Sequence, residues 1–291
     1  MNSDVLSPFD LIWDHYHLAL TRRTHIMGVL NVTPDSFSDG GLYYKRDKAV
    51  RHGIELARNG ADIIDIGGES TRPFSQKISI QEELDRVIPV IEGLKKEIEI
   101  PISIDTCHSE VAREALNCGA SIINDISALR FDPELGSLAA EAGVPVILMH
   151  MQGTPETMQE NPSYKDLIFE IKAFLSEAIE RACSDSVKRE MIILDPGIGF
   201  GKTFDHNLQI IKDLSQFHSL NQPILLGSSR KAFIGKILNR EAPDRDIGTM
   251  ATIAAGVMNG ANIVRVHNVN MAVDTVRMID AIKRGKAEQM S

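Results

Sequence analysis

The sequence is poor in cysteine. Only Cys107, Cys118 and Cys183 occur in 291 residues, an odd number with no tight spacing. This excludes a disulfide framework, offers no zinc-type cluster and predicts a reduced, cytoplasmic setting. Long apolar runs are missing too. No stretch approaches the roughly 18 apolar residues of a membrane span, so no membrane partner is expected. The first residues include Asp4, Asp10 and Asp14 with no uninterrupted apolar core, which argues against a secretory signal. Cations are in deficit: Lys+Arg number 31 against 40 Asp+Glu, a net charge of −9. A chain of that sign lacks the clustered bases that sequence-independent nucleic-acid binding requires, so no nucleic acid is expected as partner. A small anion needs only a local cluster of bases.

What is present is repetition. Short β-branched apolar runs occur at 26–31, 62–66, 102–105, 121–124, 146–149, 191–195, 224–227 and 262–266. Most lack polar alternation, as expected of parallel strands buried on both faces. Helical patterns lie between them. Leu84, Val87, Ile88, Ile91, Leu94 and Ile98 share one face, with Glu82 and Glu83 early and Lys95 and Lys96 late. Pro89 should kink that helix or bound it. Residues 109–117 form a second clear helix. Gly60, Gly119 and Gly260 each stand where a helix should end and an Ile/Val pair opens the next strand. About eight β/α units favour a closed ring over an open doubly wound sheet. The fold expected is therefore α/β, a single-domain (β/α)8 TIM barrel over 25–291, with 1–24 as a peripheral N-terminal segment.

In such a barrel the chemistry lies at the C-terminal ends of the strands. Those ends carry Asn31, Gly67-Gly68-Glu69, Asp105, Asn124-Asp125, His150, Asp195, the 228–231 segment, Arg265 and His267. One polar residue closing a strand is ordinarily a cap or turn former. Capping does not call for His, Lys and Arg together, so the set points to a polar small-molecule site. The glycine-rich run after Asp195 fails both nucleotide patterns: Pro196 stands where a phosphate loop needs glycine, and Lys202 where the dinucleotide fingerprint does. It reads instead as a tight turn passing close to the site. Cys107 reads as a small packed side chain rather than a nucleophile. The connections 33–44 and 69–79 are long enough for lids.

The run Asn31-Val32-Thr33-Pro34-Asp35-Ser36-Phe37-Ser38-Asp39-Gly40-Gly41 resembles the first signature of dihydropteroate synthases, and Gly67-Gly68-Glu69-Ser70-Thr71-Arg72-Pro73 resembles their second. Ile123-Asn124-Asp125, Leu148-Met149-His150-Met151, Asp195-Pro196-Gly197, Ser229-Arg230-Lys231 and Arg265-Val266-His267 follow in family order. The resemblance implies joining p-aminobenzoate to a hydroxymethyl-dihydropterin diphosphate, with Mg2+, in a homodimer. It implies Asp105, Asn124 and Asp195 as acceptors for the pterin edge, with Met149 and Gly227 beside them. Lys231 would contact the ring, and Arg265 would stack on the pterin while reaching phosphate. Asn31, Arg265 and His267 would hold the diphosphate, with Asn31 as the Mg2+ contact. Thr71, Arg72, Pro73, Phe200 and Ser229 would surround p-aminobenzoate. The catalytic set would be Asn31, Asp35, Lys231, Arg265 and His267. The site would thus divide into a carboxylate–amide side and a basic side. Two positions depart from the family pattern, Phe74 and Ser228. A pterin-dependent methyltransferase and a degenerate pterin-binding barrel are the competing readings; the first lacks room for its cobalamin module, the second has no need of the bases.

Overall fold

The computed structural model describes residues 9–33, 42–69 and 77–287. Two short strands come first, β1 (Asp10–Trp13) and β2 (Tyr16–Ala19), paired antiparallel. Strands and helices then alternate: β3 (His25–Asn31), α1 (Leu42–Arg58), β4 (Ile63–Gly67), α2 (Ile80–Lys95), β5 (Ile102–Asp105), α3 (Ser109–Asn117), β6 (Ile122–Asp125), α4 (Glu134–Ala142), β7 (Val146–Met149) and α5 (Leu167–Ser184). The series continues through β8 (Ile192–Asp195), α6 (Phe204–Lys212), β9 (Leu225–Leu226), α7 (Ala232–Leu238), α8 (Asp246–Met258), β10 (Ile263–Val266) and α9 (Val269–Arg284). Strands β3 to β10 agree with the sequence-based runs to within one residue at each end.

These eight strands are parallel and neighbour one another in the order β8-β7-β6-β5-β4-β3-β10-β9. The ring closes where β8 meets the start of β9, through a parallel bridge between Leu194 and Ile224. β9 is short because a side chain completes its ladder: Asn262 Oδ1 accepts from the Ile224 backbone N–H at 2.9 Å. The result is the expected (β/α)8 barrel. Its core is the run of Ile, Leu and Val on the strands against the inner faces of the helices.

Local chemistry explains the joints. In α2, the Ser79 hydroxyl accepts from Glu82 N–H, and Val87, Val90, Ile91 and Leu94 are buried. The helix continues past Pro89 to Lys95, so that proline is not its boundary. Gly60, Gly119 and Gly260 have φ of 100°, 114° and 102°, a region costly for any side chain, and each next residue donates back into the last helical turn.

Strands β1 and β2 form a sheet separate from the ring of strands, yet they are not loosely attached. Leu11, Trp13, Tyr16, Leu18 and Leu20 are all buried and belong to the main core cluster. Their period of two is that of a half-buried hairpin. Asn262 Nδ2 donates to Leu20 O and Lys95 Nζ to the Tyr16 hydroxyl, while Arg23 pairs with Asp62 just ahead of β4. The hairpin therefore closes the N-terminal end of the barrel, opposite the polar strand ends. Among the described residues, no helix is long and apolar enough to cross a membrane.

Candidate active site

Because all eight strands are parallel, their C-terminal ends meet at one end of the barrel. There the structure brings together Asn31, Asp105, Asn124, Asp195, Ser229, Lys231, Arg265 and His267. Asp35, Thr71, Arg72, Pro73 and Phe74 lie outside the described residues.

Arg265, projecting inward from β10, is the centre of the constellation. Its Nε lies 2.6 Å from Asp65 Oδ2 and its second guanidinium nitrogen 2.7 Å from Asp105 Oδ2. Asn124 Nδ2 donates to both Asp65 oxygens, at 3.2 and 3.3 Å. Asp65 is completely buried (0% exposed), so its carboxylate depends on these donors. Burial pushes the Asp105 carboxyl up to about 7, against the pull of the Arg265 guanidinium and with the repulsion of Asp65. The carboxylates around it push Arg265 further up, beyond its own loss of solvent. The expected division into an acidic side and a basic side therefore does not hold at Arg265: two of its five N–H groups are engaged by carboxylates, which lock the plane of the guanidinium, leave a flat face for a ring and spare the remaining donors.

Asp65 is the residue that sequence reasoning missed. The signal was there: one aspartate inside the apolar run Ile63-Ile64-Asp65-Ile66, where a buried charge requires a partner. Asp125 shows the opposite outcome. Its carboxylate is spent on Ser127 N–H, Ser127 hydroxyl and Leu129 N–H, organising the turn after β6, while its neighbour Asn124 points into the barrel.

Asp195, at the end of β8, is buried, and that burial raises its carboxyl against the effect of Gly197 N–H, Lys231, Lys202 and Arg265. Oδ1 accepts from Gly197 N–H at 2.7 Å. Gly197 has φ 71°, and a Cβ there would sit 1.9 Å from the His150 carbonyl oxygen, so only glycine lets the chain turn here. Oδ2 faces Gly227, where the missing side chain leaves space. Phe200 returns from the loop over Met149, Met151, Met158 and Ile126, a small apolar cluster separate from the main core. Lys231 Nζ lies 4.1 Å from the centre of the Phe200 ring.

Burial and then the Arg265 charge pull the Lys231 ammonium down from 10.5 to about 8. A base whose pKa falls on folding holds fewer protons than the unfolded chain between those two values. Its contribution to unfolding free energy should therefore rise as pH goes from about 8 to 10.5. Carbon-13 titration of the Lys231 side chain should give a midpoint near 8; a midpoint near 10.5 would mean that the ammonium stands in solvent.

His267 completes the ring. The Ser229 hydroxyl accepts from His267 N–H at 3.2 Å and lies 2.9 Å from Nδ1. The hydroxyl thus donates to Nδ1, which puts the imidazole proton on Nε2. Burial, followed by Arg265, Arg230 and Lys231, pulls the ring down to about 3, so it is a neutral donor at physiological pH. Arg230 itself is held by Asp246. Ser228 is buried against Thr252, with their hydroxyls 2.8 Å apart. Burial and the Asp125 charge push the Cys107 thiol well up, which suits a packed side chain and not a nucleophile. Asn31 closes β3 beside Gly67. Among the described residues, no group of three or more His, Cys, Asp or Glu forms a metal cage.

A family described as "Pterin binding enzyme" matches residues 27–267. Dihydropteroate synthase from Synechocystis sp. is 47% identical over 90% of this chain and 91% of its own length. The Bacillus subtilis enzyme of that name is 48% identical over 91% of this chain and 90% of its own. Among solved structures, Yersinia pestis dihydropteroate synthase with a sulfonamide drug complex superposes with a TM-score of 0.89, at 43% identity, over 94% of this chain and 99% of that one. The Xanthomonas albilineans dihydropteroate synthase in complex with 7,8-dihydropteroate gives a TM-score of 0.83 at 40% identity, over 92% of this chain and 96% of that one.

Proposed function

The chain belongs to the dihydropteroate synthases, transferases that condense (7,8-dihydropterin-6-yl)methyl diphosphate with 4-aminobenzoate in folate biosynthesis, and we infer from its geometry which residues do each part of that work. The products are 7,8-dihydropteroate and diphosphate. The observation that carries the residue assignment is the interlocked Asp65–Arg265–Asp105 set beside Asn124 and Asp195, a buried wall of acceptors with one planar cation across it.

The pterin edge presents adjacent N–H groups. Asp195 Oδ2 and the Asn124 amide oxygen accept them; the charge-assisted bond to Asp195 is worth roughly 1.5–3 kcal/mol and the neutral one to Asn124 about 0.5–1.5 kcal/mol. The Arg265 plane lies against the ring. Reaction is substitution at the methylene carbon: the bond to the diphosphate oxygen breaks, the bond to the amine nitrogen forms, and diphosphate takes the electron pair. The amine proton passes to solvent or to the released diphosphate. Charge building on the departing oxygens is met by His267 Nε2–H and by Arg265, an electrostatic role of the oxyanion-hole kind. Lys231 and the Phe200 ring hold the aminobenzoate end, with Ser229 beside it.

Mg2+ fits this donor set. The ion takes few protein ligands and keeps substrate phosphate oxygens, so the single hard oxygen of Asn31, with no carboxylate cage among the described residues, suits it. Bound there, it would neutralise diphosphate charge. We further propose a homodimer in the cytoplasm. Ile247, Met258, Met271, Met278 and Ile282 stand exposed on the adjacent helices α8 and α9, an apolar face that a second copy would cover.

The test is direct. Purified protein sedimenting as a dimer should turn over dihydropterin diphosphate and 4-aminobenzoate with Mg2+ and release diphosphate. Pterin binding without turnover would favour a binding module instead.

A further inference from the structure

Lys202 and His150 are assigned no contact with either substrate, yet their burial is nearly complete, at 2% and 4% exposed. An ammonium has three N–H donors. Around Lys202 Nζ stand three acceptors: His150 Nδ1 at 2.9 Å, the Phe200 carbonyl oxygen at 2.9 Å and the His150 carbonyl oxygen at 3.4 Å. All are satisfied when His150 is neutral with its proton on Nε2. Burial, with the Lys202 charge, pushes the His150 ring well down, and burial pulls the Lys202 ammonium well down too, against the attraction of Asp195; the three acceptors arrayed round Nζ are the geometry that favours its charged form.

What the ammonium grips is the loop after β8. Its carbonyls at 199, 200 and 201 each take one side-chain donor: Gln159 Nε2 at 2.8 Å, Lys202 Nζ at 2.9 Å and the Tyr164 hydroxyl at 2.7 Å. Gly199 N–H is tied in turn to Asn207 Oδ1. A loop with three glycines would otherwise be soft. Two of these anchors, Gln159 and Tyr164, sit on the periphery of the loop. Lys202 holds the Phe200 carbonyl from inside, and the Phe200 ring carries the Lys231 ammonium.

We propose that Lys202, with His150 as its acceptor, is a positioning residue: it fixes the Phe200 backbone, and so sets the Phe200 ring and the Lys231 ammonium where 4-aminobenzoate must arrive. The inference rests on the placing of Phe200 at the aminobenzoate end.

Four variants and one double variant test it, with KM measured for each substrate. K202M should raise KM for 4-aminobenzoate about tenfold and leave that for the pterin diphosphate within about twofold, because the pull of the loop is felt at one end of the site only. H150N, whose amide oxygen can replace Nδ1 as acceptor, should stay within about threefold of the parent. F200L should resemble K202M, and K202M/F200L should be no worse than F200L alone, since one residue acts through the other. Equal rises for both substrates in K202M, or additive effects in the double variant, would overturn the proposal. An unchanged KM in F200L would overturn the placing of Phe200, and this inference with it. A tenfold effect in F200L with none in K202M would overturn the inference alone. Should K202M fail to fold, H150L removes one acceptor of the three and should raise the same KM about threefold; no rise there would equally overturn it.

Discussion

Arg265→Met is expected to lose both stability and turnover. In the folded chain the guanidinium is shared by Asp65 and Asp105, at 2.6 and 2.7 Å. Methionine fills much of the volume but leaves Asp65 fully buried, with the Asn124 amide as its one remaining side-chain donor among the described residues. Breaking a buried ion pair from one side typically costs 3–5 kcal/mol, roughly, because a charge is stranded. Thermal unfolding of the variant should show the midpoint lowered by roughly 10 °C. Turnover should fall on the order of 10³-fold, since the flat cation for the ring and a donor to departing diphosphate go together. Asp65→Asn on top of Arg265→Met should restore stability and not activity. A single variant with parental stability would refute the idea that this cation is what stabilises Asp65 in the interior.

Asp195→Ala carries the second large effect, and it falls on binding. One carboxylate oxygen is committed to Gly197 N–H and shapes the loop; the other faces the space left by Gly227. Removing that acceptor should weaken pterin binding by about 10²-fold or more. Asp195→Asn should do no better, because an amide group offers N–H toward the N–H groups of the ligand. His267→Ala should behave differently. Its Nε2–H is a neutral donor to which we assign the phosphate, so a pterin without the diphosphate should bind as before while the diphosphate form weakens. Calorimetry with the two ligands separates these cases. A loss in Asp195→Ala that appears only with the diphosphate ligand would exchange the two roles.

The legible part of the molecule was the local part. Eight apolar runs read as buried strands, and the glycine-punctuated helix ends read as caps, because both depend on residues within a few positions of one another. The short tally of His, Lys and Arg at strand ends marked the site. The N-terminal hairpin had a period-two pattern, Leu11 and Trp13 then Tyr16 and Leu18, but only the barrel beneath it shows that this face is covered. Pro89 read as a kink or a boundary because its ring removes a backbone donor; the helix continues through it, with Val87, Val90, Ile91 and Leu94 buried around it.

Which elements exist, where they stop and which end of the barrel bears polar groups thus follow from near-neighbour chemistry along the chain. Who pairs with whom does not. Asp65 and Arg265 are 200 positions apart, and Asp105 and Arg265 160. They meet because the ring closes in one register, and a one-residue slip would turn either side chain out of the barrel. Asp125 and Asn124, neighbours of similar chemistry, take opposite parts for the same reason. In the sequence Lys202 stood only as a mismatch to the dinucleotide fingerprint; the folded loop, curling back onto the end of β7, brings its Nζ to the Phe200 carbonyl and to His150.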